Sequence, residues 1–304
     1  MTMNEPTGRT PVPTFEGRPL EYPDEPVFDQ GLRFDVETLL DRRQVLKGLG
    51  LAGLSAGIVS LVACNPIGSS ASANASASNS SSAGATASTA AECATVIPEE
   101  TAGPFPGDGS NGPDVLNQAG IVRSDIRSSF GSSSTVAEGI PLTIRLGIMD
   151  ASNACAAMPG AAVYLWHCDR DGRYSLYSNG VTGENYLRGV QAADSNGVVT
   201  FKSVFPACYS GRWPHIHFEV YPSLDKATSQ ANKIATSQVA LPKETCDAVY
   251  ATDGYSQSVA NLTRVSLQTD NVFGDDGGVH ELGTMSGDLS SGLTVELAVP
   301  VTTG

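Results

Sequence analysis

The chain has 304 residues, with 18 Lys and Arg against 32 Asp and Glu, a formal net charge of −14. Hydrophobic residues make up 40% and charged residues 16%, enough apolar material for a core, which excludes a wholly disordered chain. The acidic balance excludes a nucleic-acid partner, which would require a basic stripe.

Residues 1–41 are polar and proline-rich. Asp41-Arg-Arg43 then leads into an apolar run over residues 48–63, only 16 residues long and rich in Gly and Ala, ending in Leu61-Val-Ala-Cys64. That is short of the ~20 residues a spanning helix needs. The alternative of a buried apolar helix stands beside an export signal, which the charged flank and small terminal residues favour. The arginine pair resembles a twin-arginine signal, and Leu-Val-Ala-Cys resembles a lipobox, which would acylate Cys64 and tie the exported chain to the membrane at the bacterial cell surface.

From residue 69 to 91, 18 of 23 residues are Ser or Ala and none is charged. Such a stretch cannot bury enough apolar surface to offset its ordering entropy. The expected organisation is a signal with a long polar leader over 1–63, a flexible linker over 64–92, and one folded domain over 93–304.

Within that domain, residues 142–149 alternate apolar with mostly polar positions, the period of a half-buried strand. Pro159-Gly160 marks a turn, and 161–168 reads as the strand returning from it. Residues 194–197 form a turn ahead of a strand over 198–205. Ile216, Phe218 and Val220 put one face of 215–221 into a core, and Leu293, Val295, Leu297 and Val299 do the same near the C-terminus. Only 243–250 and 258–273 read as helical. The expectation is an all-β antiparallel sandwich with long loops and one or two short helices.

Five cysteines follow Cys64: Cys93, Cys155, Cys168, Cys208 and Cys246. An exported protein meets an oxidising compartment, so disulfides are expected; the odd count allows at most two bridges and leaves their connectivity open. Without a Cys-x-x-Cys pair, a zinc site is disfavoured.

Two of the chain's four histidines stand in Arg212-Trp-Pro-His-Ile-His217. On a strand, His215 and His217 share one face, a pair that can begin a metal site and is equally compatible with an exposed strand. Tyr174 and Tyr209 are candidates for the remaining ligands. A free phenol titrates near 10, so holding two as phenolates at neutral pH calls for a strong, hard Lewis acid such as ferric iron.

Several motifs, in order, resemble the intradiol ring-cleavage dioxygenases, the family of catechol 1,2- and protocatechuate 3,4-dioxygenases. They are Glu100-Thr-Ala-Gly-Pro-Phe105, Pro159-Gly-Ala-Ala-Val-Tyr-Leu-Trp166, Asp171-Gly-Arg-Tyr174, Tyr186-Leu-Arg-Gly189, Asp194-Ser-Asn-Gly197, Phe205-Pro-Ala-Cys-Tyr209 and Arg212-Trp-Pro-His-Ile-His217. A weaker match follows at Ala235-Thr-Ser-Gln238. The resemblance implies a β-sandwich carrying non-haem Fe(III) on Tyr174, Tyr209, His215 and His217. It implies a catechol-type aromatic and O2 as substrates and a cis,cis-muconate-type diacid as product. Tyr209 would be the ligand that takes a substrate proton, Arg212 a cation stabilising charge on the substrate ring, and Gln238 a neighbour of the iron. Export implies an extracellular catechol source. A surface module that binds catecholates or iron without turnover is the alternative, and O2 uptake with catechol separates the two.

Overall fold

The computed structural model describes residues 14–15, 18–19 and 95–303. Apart from Thr14–Phe15 and Arg18–Pro19, the expected signal lies outside the described residues, as do Cys64, the Ser/Ala-rich linker and Cys93. The chain divides into two compact units, Met1–Gly84 and Ala85–Gly304. In the first, β1 (Thr14–Phe15) pairs antiparallel with β2 (Arg18–Pro19). Among the described residues no helix is long and apolar enough to cross a membrane.

In chain order the second unit contains β3 (Pro141–Asp150), β4 (Ala156–Ala157), β5 (Ala162–Trp166), β6 (Arg188–Ala192), β7 (Val198–Val204), β8 (His215–Tyr221) and β9 (Ala235–Ala240). It continues with helices α1 (Lys243–Tyr250) and α2 (Ser256–Leu262) and strands β10 (Thr284–Asp288) and β11 (Gly292–Val301). One sheet runs β10-β11-β3, with β7 and then the short β4 along the far edge of β3. The second runs β6-β5-β8-β9. Only β11 and β3 pair in parallel among the strands of these two sheets. The architecture is the all-β sandwich the alternating patterns predict, with two short helices.

The two sheets bury a common core. Leu142, Ile144, Leu146 and Ile148 of β3 meet Val163 and Leu165 of β5 and Ile216, Phe218 and Val220 of β8. The second sheet is also covered on its other face, where Tyr164, Trp166, Tyr174, Ala207 and Tyr221 form a separate cluster under the loops. All seven residues of β8 are therefore buried. Strands buried on both faces read as continuous apolar runs, so polar residues on the loop-covered face of β8 require a reason.

Two expectations need correction. The strand after Pro159-Gly160 does not return along β3; β5 pairs with β6 and β8, and the turn is a crossover between sheets. Alternation shows which face is buried but not which strand is the partner, and β5, buried at all five positions, is unsuited to an edge of half-exposed β3. The helical reading of 258–273 holds only through Leu262. Farther on, Asp270 Oδ1 accepts the backbone N–H groups of Val272 (2.9 Å) and Phe273 (3.1 Å), offering the chain a local turn in place of helical bonds.

Candidate metal centre

His215 and His217 point to the loop-covered face of the second sheet. Each is 2% exposed, so they are not an exposed strand pair. Their Nε2 atoms lie 3.0 Å apart. The phenol oxygens of Tyr209 and Tyr174 lie 3.2 and 3.3 Å from His215 Nε2. Both expected tyrosines and both expected histidines thus converge on one point.

Local sequence explains the convergence. Asp169 Oδ1 accepts the N–H groups of Asp171 (3.0 Å) and Arg173 (2.9 Å), while its Oδ2 accepts the Tyr186 hydroxyl at 2.9 Å. This folds 169–173 tightly and delivers Tyr174. Gly172 sits at φ +81, where an added Cβ would come 3.2 Å from Tyr209 Cβ, so the two tyrosine loops touch at a glycine. Across the sheet, register does the rest. Trp166 and Gln238 are the partners of His217 on β5 and β9 and therefore share its face.

The two imidazoles are fixed by different means. His215 Nδ1 faces the Trp213 carbonyl at 2.6 Å, which makes it the protonated nitrogen and leaves the Nε2 lone pair toward the tyrosines. His217 Nδ1 is buried with no partner. Its ring is instead stacked on Trp166, centroids 4.9 Å apart and planes 3° from parallel. Gly103 also approaches so closely that a Cβ there would meet His217 Cε1 at 3.2 Å.

Arg212 and Gln238 adjoin the centre. Arg212 donates from Nε to Asp270 Oδ2 (2.9 Å) and from Nη2 to Gln238 Oε1 (2.8 Å), and Gln238 Nε2 donates to the Thr101 carbonyl (2.9 Å). Asp270 went unnoticed in the sequence because it lies in a segment without a motif. Phe105 packs 4.9 Å from the Tyr174 ring and 5.2 Å from Tyr177. The loop it sits on is held by Arg188, which donates to the carbonyls of Phe105 (2.9 Å) and Pro106 (2.7 Å).

The electrostatics favour neutral side chains here. Burial, then Tyr209, push the Tyr174 phenol well above its ordinary range. Burial pushes Tyr209 up to about 12, with Arg212 acting the other way. Burial and then Arg212 push His215 well below its usual value; for His217 the causes are burial, then His215. Two lone-pair imidazoles and two phenols on one point fit a hard, highly charged cation, which can hold the phenols as phenolates. Among the described residues no group of three or more His, Cys, Asp or Glu could hold a metal, so any such centre needs the tyrosines. Cys155 is in a disulfide, and Cys168, Cys208 and Cys246 are buried free thiols.

Known proteins resemble this chain over one segment and in fold. Residues 111–215 match the family model described as Dioxygenase, a span that contains Tyr174, Tyr209 and Arg212 and ends on His215. No curated protein matches the chain. An intradiol ring-cleavage dioxygenase from Tetranychus urticae is 25% identical with a TM-score of 0.55, covering 68% of this chain and 95% of that one. A second dioxygenase structure is 24% identical with a TM-score of 0.54, over 68% and 94% of the two chains. The dioxygenase domain of a carbohydrate-binding fusion protein from Streptomyces sp. SirexAA-E is 18% identical with a TM-score of 0.44, over 69% and 100%. The matched segment is therefore dioxygenase-like, and the chain shares the fold of the first two structures.

Proposed function

We propose that the protein is a non-haem Fe(III) dioxygenase that opens the ring of catechol-type aromatics between the two hydroxyl-bearing carbons. Both atoms of O2 would enter the product, a cis,cis-muconate-type diacid. The observation that carries this reading is the convergence of two phenols and one imidazole within 3.0–3.3 Å of His215 Nε2. Tyr174, Tyr209, His215 and His217 are the residues that would hold the metal. Ferric iron bound there would keep the phenols ionised and draw electron density from a chelated catecholate, making the ring itself reactive toward O2.

The chain's own residues have distinct tasks in this scheme. Tyr174 is buried and Tyr209 half-buried, so Tyr209 Oη is the phenol oxygen placed to receive a catechol hydroxyl proton. Arg212, held at Nε and Nη2, has its fork fixed and so can present a fixed cation to charge developing on the ring. Trp166, Phe105 and Gly103 wall the site and exclude water.

The test is an anaerobic catechol titration of iron-loaded protein, followed by O2. The expected result is a perturbed visible band, then uptake of one O2 per catechol with formation of a diacid. A perturbed band without O2 uptake makes the protein a catecholate-binding module instead. The same reading places the mature domain outside the cell, tethered through Cys64, and rests there on the arginine pair and Leu-Val-Ala-Cys motif alone.

A further inference from the structure

We propose that Asp270 is a positioning residue that sets both the substrate-facing cation and one imidazole of the metal centre; the inference rests on the proposed function and adds a residue outside its motifs. The Asp270 side chain is fully buried. One oxygen, Oδ2, accepts from Arg212 Nε at 2.9 Å and from the Trp213 backbone N–H at 2.6 Å. The carbonyl of the same Trp213 receives His215 Nδ1 at 2.6 Å. A single carboxylate oxygen thus governs the guanidinium directly and His215 through one intervening residue. The other oxygen, Oδ1, is anchored by the N–H groups of Val272 and Phe273. The Phe273 ring completes the brace, 5.8 Å under the Arg212 guanidinium and 6.5 Å from the His215 ring.

Stability alone does not account for this pair. A buried ion pair roughly breaks even against well-packed apolar side chains, because both charges must be stripped of water. Here the four bonds to Asp270 do something an apolar replacement could not. They fix the planar Arg212 fork, with Gln238 holding its Nη2 from the opposite side at 2.8 Å. They also fix the backbone that dictates which nitrogen of His215 carries the proton. Outer hydrogen-bond partners of metal ligands commonly matter by 10–100-fold in affinity or activity.

The experiment uses the full chain loaded with Fe(III), as wild type, Asp270→Asn, Asp270→Glu, Arg212→Leu and the Arg212→Leu/Asp270→Asn pair. Three quantities are read: the visible charge-transfer band under anaerobic conditions, the rate of iron loss to a chelator, and kcat and KM for catechol. The expected result for Asp270→Asn is a shifted band, faster iron loss and a kcat lowered roughly 10–100-fold, with KM changed far less. Asp270→Glu keeps the charge but displaces it by one methylene, and should shift the band as well; it also serves if the Asn variant melts below the assay temperature. Because Asp270 acts on the ring partly through Arg212 and on the iron through Trp213 and His215, the kcat losses in the double variant should be less than the product of the two single losses. An unchanged band and kcat in both Asp270 variants overturns the proposal, and so do kcat losses that multiply in the double variant. A wild-type chain that shows the band but cleaves no catechol ends the proposed function only, and the clamp then stands or falls on the band shift and the chelator rate. A wild-type chain with iron and no band overturns both.

Discussion

The indole of Trp166 lies flat on the imidazole of His217, with ring centroids 4.9 Å apart and planes within 3°. A metal-binding histidine ordinarily donates its second N–H to an acceptor, yet His217 Nδ1 has none. Its orientation is therefore a matter of packing, set by the Trp166 stack and the close approach of Gly103. Trp166→Leu should loosen the ring and weaken iron binding about 10–100-fold by chelator competition, while Trp166→Phe, which keeps a flat partner, should stay near wild type. Equal affinities in the two variants would show that the stack is irrelevant to the metal.

Phenolate ligation has a visible signature. Iron-loaded protein should be reddish from tyrosinate-to-Fe(III) charge transfer, and Tyr174→Phe should shift or weaken the band by removing one phenolate. Iron-loaded wild type without such a band excludes the two-tyrosine centre.

Arg212 separates chemistry from metal binding. Its guanidinium contacts Asp270 and Gln238 and none of the four candidate ligands by hydrogen bond through its side chain. Arg212→Leu should keep iron and the visible band while ring cleavage falls about 10²–10³-fold, the size expected for losing one preorganised charge-stabilising group. Concurrent loss of iron would instead make Arg212 a support of the ligands.

Two carboxyls, Glu100 and Glu281, predict an unusual stability profile. Burial, then Glu281 and Asp275, push Glu100 up to about 8; burial, then Asp276 and Asp275, push Glu281 up to about 7. Both Glu281 oxygens are buried without partners. A carboxyl whose folded pKa is raised binds more protons folded than unfolded, so it destabilises increasingly as pH climbs from about 4.5 through its folded value. Buried His167, pushed down to about 4 by desolvation, acts oppositely and removes stability as pH falls below 6.5. The melting temperature should therefore rise as pH is lowered from 8.5, and more gently below about 6.5, where His167 opposes the two carboxyls. Glu281→Gln should flatten the upper limb; an unchanged slope would remove Glu281 from this account.

The proposed tether at Cys64 gives a prediction of a different kind. Cys64→Ser should release the mature domain from membranes, since an acidic chain with no acyl group has little hold on anionic headgroups. Full sedimentation of the variant with membranes would refute lipid attachment there.

The legible and illegible parts of this chain divide along physical lines. The boundaries of β8 and of α1 could be read directly, because each has a local pattern: alternation in 215–221, and a run bounded by Pro242 in 243–250. The four residues that converge each sit in a short motif that can be matched locally, although Tyr174 and Tyr209 are 35 positions apart. Sheet membership of β5 was not, because strand pairing is a long-range choice that a local pattern does not encode. Asp270 was hidden for the same reason: its partners Arg212 and Trp213 lie 58 and 57 positions earlier. Trp166 was readable as an aromatic core residue, but its contact with His217 follows only from the β5–β8 register.

That register has a consequence for which sequence changes the protein can survive. Along β8, Ile216, Phe218 and Val220 fill the sandwich core, and His215 and His217 face the other way. A shift by one residue would exchange the two sets, placing imidazoles among aliphatic side chains and an isoleucine where the phenols converge. A single-residue insertion or deletion inside β8 should thus abolish iron uptake and folding together. A substitution at Ile216 acts from the opposite side of the same strand and would reach both flanking histidines without touching either. Fold and metal centre are written on alternate letters of one seven-residue word, and neither can be edited alone.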